Sequence, residues 1–136
     1  MDREGVARWV GAYERAWRTA GTAAVGELFA DKARYLVSPW AKPIVGIEAL
    51  RGFWEAGRKG ADERFRMMSE VLAVDGNTAV VRVFVEYEDE DPGRWRDLWV
   101  LRFDGEGKCE WFEEWPFAPD QEDGQEAAER ASDAPG

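Results

Sequence analysis

Residues 94–119 read RWRDLWVLRFDGEGKCEWFEEWPFAP, and this stretch decides the fold. Two aromatic-rich runs of alternating pattern flank Asp104-Gly105-Glu106-Gly107, which predicts a β-hairpin. On the first arm Trp95, Asp97, Trp99, Leu101 and Phe103 share one face, and Arg96, Leu98, Val100 and Arg102 share the other. On the second arm Phe112, Glu114 and Pro116 alternate with Trp111, Glu113 and Trp115. Neither face of either arm is polar throughout. A sheet with one wet face would alternate more cleanly, so both faces are expected to meet something. Four of the chain's eight tryptophans fall in this stretch, along with several carboxylates.

Outward from the hairpin the same period continues. Asp75-Gly76-Asn77 is a tight-turn signal between apolar runs, and it predicts a second hairpin of strands 63–74 and 78–89. A polar turn with Pro92, residues 88–93, joins the two hairpins. Before residue 62 the pattern is different. Gly46 opens a helix over 47–58 with Leu50, Phe53, Trp54 and Gly57 on one face, closed by Gly57, Gly60 and the charges between them. Ser38-Pro39-Trp40-Ala41-Lys42-Pro43 is a loop, because two prolines break any ladder, and 33–37 is a short strand. At the N-terminus Val6, Trp9, Val10, Tyr13, Ala16, Trp17 and Ala20 make one face of a helix over 4–20 that Gly21 ends. Thr22 caps a short helix through Ala30, with Val25, Leu28 and Phe29 inward. Residues 120–136 are polar and read as an acidic, disordered tail.

The order is helix, helix, short strand, helix, then four long strands: an α+β chain with segregated elements. Long twisted strands curl, and three N-terminal helices can cover only the concave face of a mostly antiparallel sheet. The expected result is a cone-shaped α+β barrel with a cavity between sheet and helices. Its convex face carries Leu98 and Val100, which predicts a homodimer interface there.

The 136 residues suit one domain, and the balance of 45% hydrophobic to 34% charged residues suits a folded, soluble one. No apolar run approaches the roughly 20 residues of a membrane span, and no signal peptide is evident. Net charge is −10, and the tail contributes six acids against one base. An acidic body argues against nucleic-acid binding, which requires phosphate neutralisation. One cysteine and no histidine leave no disulfide, no expected metal site, and a reducing cytoplasm as the default location.

The pieces Tyr13-Glu14-Arg15-Ala16-Trp17, Leu28-Phe29-Ala30-Asp31-Lys32-Ala33, Gly46 to Trp54, the hairpin around Asp104-Gly105-Glu106-Gly107 and the close Glu113-Glu114-Trp115-Pro116-Phe117 occur in a telling order. In that order the chain resembles the nuclear transport factor 2-like superfamily, in its SnoaL-like and ketosteroid-isomerase-like bacterial branch. The resemblance covers residues 5–119 and implies a SnoaL-like domain over 1–119 of cystatin-like, cone-shaped fold. It further implies a pocket at the open end and usually a homodimer. Functions in the superfamily run from isomerases, cyclases and hydrolases to proteins without chemistry, so fold does not settle function.

A steroid-isomerase mechanism needs a general-base carboxylate and an oxyanion hole made of a tyrosine and a protonated acid. Tyr13 resembles the tyrosine. The base would fall at Val37 or Ser38 and the acid at Trp99, and none of these is a carboxyl. What remains is Asp97 between Trp95 and Trp99. Desolvation there would raise its pKa and suit it to acid–base work with Tyr13. The competing expectation is structural: Arg82, in V-V-R-V-F-V, would bury its guanidinium against Asp97 or Glu114. Glu86 is expected at the rim, and the acidic run 88–91 as a solvated loop. Cys109 has no histidine partner and is not expected to act as a nucleophile. The candidate ligand-binding residues are Tyr13, Trp17, Trp40, Phe53, Trp54, Arg82, Phe84, Trp95, Trp99, Phe112 and Glu114. The function expected first is binding of a small, mostly apolar molecule in an aromatic pocket, with no cofactor. An isomerase, cyclase or hydrolase using Asp97 and Tyr13, or a non-catalytic interaction module, are the alternatives.

Overall fold

A computed structural model describes residues 1–58, 64–89 and 93–133. Its elements are α1 (Arg3–Arg18), α2 (Val25–Leu28), β1 (Phe29–Leu36), β2 (Ile44–Val45), α3 (Ile47–Gly57), β3 (Phe65–Asp75), β4 (Thr78–Tyr87), β5 (Arg94–Phe103), β6 (Cys109–Phe117) and α4 (Gly124–Asp133). The deciding hairpin is β5–β6, antiparallel, with Trp99 opposite Glu114 and Leu101 opposite Phe112. Its turn is held by Asp104, whose Oδ1 accepts the backbone N–H groups of Glu106 at 2.9 Å and Lys108 at 3.0 Å. Gly107 takes a φ of +81° there, which a side chain would resist.

The strands form one open sheet in the order β2-β1-β6-β5-β4-β3. Only β1 and β6 run parallel; the other neighbours are antiparallel. Register shifts between Val71 and Ala73, Arg102 and Phe103, and Phe29 and Arg34 bend the sheet, as bulges do. On its inner face lies α1, capped by Asp2, whose Oδ1 accepts the Gly5 N–H at 2.8 Å. The apolar stripe of α1 is buried at Val6, Trp9, Val10, Tyr13 and Ala16. The Trp9 ring meets Phe29 and Phe103 edge-on, each at 5.5 Å, while its N–H donates to the Leu28 carbonyl at 2.9 Å. Arg58, just past α3, closes the other end of α1. Its guanidinium donates to the carbonyls of Ala16, Thr19 and Gly21, so a cation sits at the negative end of the helix dipole.

Several boundaries differ from expectation. The first helix stops at Arg18, and Ala20 lies exposed beyond it. Helix α2 ends at Leu28 rather than Ala30 because Phe29 begins an eight-residue strand. Phe29 is fully buried and paired in register with Cys109 of β6, a distant contact that outweighs local helix preference. Thr22 accepts the Val25 N–H through its backbone carbonyl, and α2 has no side-chain cap. The two-residue β2 pairs with β1 through Arg34 opposite Val45 and Tyr35 opposite Ile44. Gly60, expected to close α3, and Glu90, Asp91 and Pro92 of the acidic turn lie outside the described residues.

Where the sequence suggested a disordered tail, residues 124–133 are helical. Asp123 accepts the Glu126 N–H at 2.9 Å, and Gln125 bonds Glu129 at 3.2 Å one turn on. Ala, Glu, Gln and Arg supply the propensity. No residue of α4 is buried, so the helix draws no stability from the body. Deleting residues 122–136 is therefore expected to leave the melting temperature within about 2 °C, which calorimetry would check.

Candidate functional site

Between α1, α3 and the inner face of the sheet lies a cavity of about 260 Å³. Helix α1 contributes Tyr13 and Trp17, β1 Tyr35, and α3 Phe53. Strands β3 and β4 contribute Phe65, Met67, Val85 and Tyr87; β5 contributes Trp95, Asp97 and Trp99; β6 contributes Glu114 and Pro116. The wall is aromatic because the inward faces of the long strands are mostly aromatic or aliphatic, Asp97 and Glu114 apart, and α1 turns its Tyr13–Trp17 pair onto them. Tyr13 lies 4.7 Å from the Trp99 ring and stacks parallel to Trp17 at 6.4 Å. Beneath the lining, Trp54 and Phe112 are buried in the core, and Phe112 stacks on Tyr35 at 4.3 Å.

The polar groups of the cavity fall into two sets. The Tyr13 and Tyr35 hydroxyls share a hydrogen bond of 2.9 Å, which leaves one hydroxyl hydrogen of the pair to offer elsewhere. Both phenols are held well above their ordinary pKa, Tyr13 by burial and then by Glu114, whose carboxyl is ionised at the high pH where a phenol titrates, Tyr35 by burial and then by Tyr13. The second set is Asp97 with Glu114. Trp99 stands opposite Glu114 and Pro116 opposite Asp97, so the two acids are diagonal neighbours on adjacent strands and one face. Asp97 is 7% exposed; Glu114 is half-buried, its open surface facing the cavity it lines.

Burial raises the pKa of both acids, and the hydrogen bond between them splits the pair. It favours the Asp97 carboxylate and holds the Glu114 carboxyl well above the usual range, in its protonated form. Asp97 Oδ1 has no hydrogen-bond partner. The Trp99 indole N–H lowers both pKas by its polarity but completes no hydrogen bond, its Nε1 being buried without a partner, as is that of Trp17. Two adjacent carboxyls in an aromatic wall, both with raised pKa values, are the arrangement from which acid–base chemistry is built.

The structure thus gathers Tyr13, Trp17, Phe53, Trp95, Asp97, Trp99 and Glu114 of the sequence-derived set around one space. Trp54 and Phe112 support it from behind. Three members do not belong. Trp40 is 96% exposed in the bend after β1. Arg82 and Phe84 point to the outer face, where Arg82 faces Glu70 at 3.8 Å and Phe84 lies under the Arg96 guanidinium at 5.4 Å. The expected buried ion pair of Arg82 with Asp97 or Glu114 therefore does not form. Arg82 stands opposite Leu98 while Val83 stands opposite Asp97, so arginine and acid are on opposite faces by strand parity. Tyr35, Phe65, Met67, Val85, Tyr87 and Pro116 were missed. For Met67, Val85 and Tyr87 the signal was present as period-two alternation; Tyr35 depended on the parallel β1–β6 pairing, which leaves no local trace.

Glu86, expected at the rim of the cavity, lies on the outer face with Arg82 and Phe84, 2.7 Å from Arg66 and 3.8 Å from Arg94. Cys109 is fully buried, donates to the Trp111 carbonyl at 3.1 Å, and burial pushes its thiol up. Among the described residues no cluster of three or more His, Cys, Asp or Glu could hold a metal ion. No described helix is long and apolar enough to cross a membrane. A larger hollow of about 460 Å³ lies towards the outer face near Met68, Phe84 and Phe117, and no unpartnered buried polar side chain of the described residues lines it.

Comparison with known proteins bears on this geometry. The family model described as the SnoaL-like domain matches residues 10–110. No curated protein matches. Among solved structures, the epoxide hydrolase/cyclase-like enzyme SalBIII, studied for its role in pyran ring formation in the polyether salinomycin, superposes with a TM-score of 0.67. It is 17% identical, and the match covers 85% of this chain and 93% of that one. A protein of Parabacteroides distasonis, provisionally named a ketosteroid isomerase, superposes with a TM-score of 0.57 at 21% identity, covering 81% of this chain and 86% of its own. At these identities the likeness is one of fold.

Proposed function

The chain belongs to the family of SnoaL-like domain proteins, and from that premise we propose that it binds a small, mostly apolar molecule with one polar end. The observation that carries this reading is Asp97: a carboxylate 7% exposed, with an unpartnered Oδ1, in the wall of an aromatic cavity. Ligand sites combine an apolar lining with a few placed polar groups, and about 260 Å³ suits a ligand at the small end of their range. Benzyl alcohol, an aromatic ring with one polar end, is a direct probe. Titrating it against the full chain should give a saturable change in tryptophan fluorescence, since Trp17, Trp95 and Trp99 line the space. Val85→Phe, which fills the cavity, should abolish the change while the circular dichroism stays that of the wild type. A linear response in the wild type, or one indifferent to Val85→Phe, would sink the proposal.

The Asp97–Glu114 pair favours a second reading, acid–base chemistry on the bound molecule of isomerase, cyclase or hydrolase type. Its residues would be Asp97 and Glu114, with the spare hydroxyl hydrogen of Tyr13 and Tyr35 as donor to a developing oxyanion. This extends the expected Asp97–Tyr13 partnership by Glu114 and Tyr35. A steroid-isomerase arrangement is not part of the proposal, since Val37, Ser38 and Trp99 carry no carboxyl.

We assign the chain a homodimer through the outer face of the sheet. That face exposes Met68, Phe84, Leu98, Trp115 and Phe117, several of them aromatic, in neighbouring rows of one sheet. Sedimentation equilibrium at micromolar concentration should give twice the 15.4 kDa of the chain, and Leu98→Lys should return it to the monomer. A wild-type monomer would refute this. The single, buried Cys109 suits a reducing, cytoplasmic location.

A further inference from the structure

The small-molecule reading leaves the polar end of the ligand open, and the surroundings of Asp97 and Glu114 narrow it. Among the described residues no Lys or Arg lines the cavity. Among those residues the two acids have each other and no paired cation, and Asp97 Oδ1 has no hydrogen-bond partner. A carboxylate taken out of water without a counter-charge is costly, and proteins ordinarily pair it. Around these oxygens the walls are π-faces: Tyr13, Trp95 and Trp99, with Phe53 beyond. Two further lining rings already carry a guanidinium, Arg18 at 3.9 Å from Phe65 and Arg58 at 6.0 Å from Trp17. Aromatic faces attract cations and do so more strongly once water is excluded. Two carboxyls repel an anion. A neutral hydroxyl would satisfy one oxygen but leave the charge uncompensated. With fewer than three ligating side chains the cluster is not a metal site.

We propose that the cavity is a site for a protonated organic amine, whose ammonium donates to Asp97 Oδ1 while its apolar body lies against the tryptophan and tyrosine faces. The proposal rests on the small-molecule reading above and adds the chemical class of the ligand. On entry of the cation the second carboxyl also ionises. The proton shared by Asp97 and Glu114 leaves to the buffer, and both oxygens that held it become acceptors for the ammonium. Among the described residues the other titratable groups lining the cavity are the phenols Tyr13 from α1, Tyr35 from β1 and Tyr87 from β4, and the nearest cations are Arg18 and Arg58 on the far side of the Phe65 and Trp17 rings. Tyr13 and Tyr35 are raised and stay protonated throughout.

The test is calorimetric titration of the full chain at about pH 8 and about 0.15 M salt, with protonated benzylamine against benzyl alcohol, its neutral counterpart of the same size. Benzylammonium should bind about tenfold or more tighter than the alcohol. Its binding heat should change with the ionisation enthalpy of the buffer, which reports the released proton. Asp97→Asn, checked for fold by near-ultraviolet circular dichroism, should level the two affinities and remove the buffer dependence. If the alcohol binds as tightly as the cation, the polar end is neutral; the cation proposal falls and the small-molecule reading stands. Should Asp97→Asn keep the cation preference, the amine is held elsewhere on this acidic chain and the proposal fails in the same way. If neither probe binds, both readings fall together.

Discussion

Phe112→Ala is expected to cost about 3–5 kcal/mol of stability, lowering the melting temperature by about 10–20 °C. Phe112 is fully buried in the middle strand of the sheet's inner face, opposite Leu101 on one side and Tyr35 on the other. Its ring touches five others: Tyr35 at 4.3 Å, Trp99 at 4.9 Å, Tyr13 at 5.5 Å, Phe29 at 6.2 Å and Trp9 at 6.4 Å. The cost of truncation depends on how far the neighbours can collapse into the void. Here they are pinned, Trp9 by its bond to the Leu28 carbonyl and Tyr13 and Tyr35 by their shared bond. Collapse is therefore small and the upper part of the range applies. Phe112→Leu keeps most of the volume and should cost about 1–2 kcal/mol. Urea unfolding with an unchanged slope would establish that the loss lies in the native state. A loss below about 1 kcal/mol for Phe112→Ala would mean the rings repack freely. In that case the cavity, which stands on Tyr13, Tyr35 and Trp99, would have no fixed floor.

The same ring cluster explains what could be read from the chain and what could not. The β5–β6 hairpin, its turn at Asp104 and the faces of its arms follow from local alternation, and the structure repeats them. Helix α1 follows from its 3.6-residue stripe in the same way. What failed depended on pairing between distant segments. Strand β1 begins at Phe29 because it lies parallel to β6, and nothing within residues 25–36 announces that. Tyr35 became a site residue through the same pairing. The misplacement of Arg82 has a different cause. Apolar neighbours on both sides suggest burial, yet strand parity alone puts Val81 and Val83 inward with Arg82 and Phe84 outward. The inference failed because the outer face is itself apolar at Phe84, Leu98 and Trp115, so hydrophobicity did not distinguish the faces. The pairing of Asp97 with Glu114 was only half legible. Alternation puts both acids on the inward face, but the turn pairs Phe103 with Cys109, a register that would set Trp99 opposite Glu113; the shift between Arg102 and Phe103 moves it to Glu114 and leaves Asp97 one diagonal away. The family resemblance gave the architecture.

That pair should leave its mark on stability as pH changes. Asp97 and Glu114 both have folded-state pKa values raised by burial, and Glu114 is raised further by its bond to Asp97 and by the Asp97 charge. Between the ordinary carboxyl range, about pH 4, and the raised pKa of Glu114, the native state holds protons that the unfolded chain has released. The slope of stability with pH follows the protons bound in the unfolded state minus those bound in the native state, and here that difference is negative. The pair therefore lowers stability as pH rises through this window. Below it the penalty vanishes, because both states are protonated. The surface ion pairs push the other way on acidification, so the wild-type curve alone is ambiguous and the difference from a variant is the quantity to measure. In Asp97→Asn/Glu114→Gln the two amides can keep a hydrogen bond between them and carry no charge. The variant should match the wild type near pH 4 and exceed it by about 0.5–2 kcal/mol near pH 8, a gain typical where a functional group is held at the expense of the fold. Denaturant titrations of both proteins at a series of pH values, in about 0.15 M salt to screen the acidic surface, would trace the two curves. Parallel curves would mean that Asp97 and Glu114 titrate in the fold as they do in water, and the acid–base reading of the site would lose its physical basis.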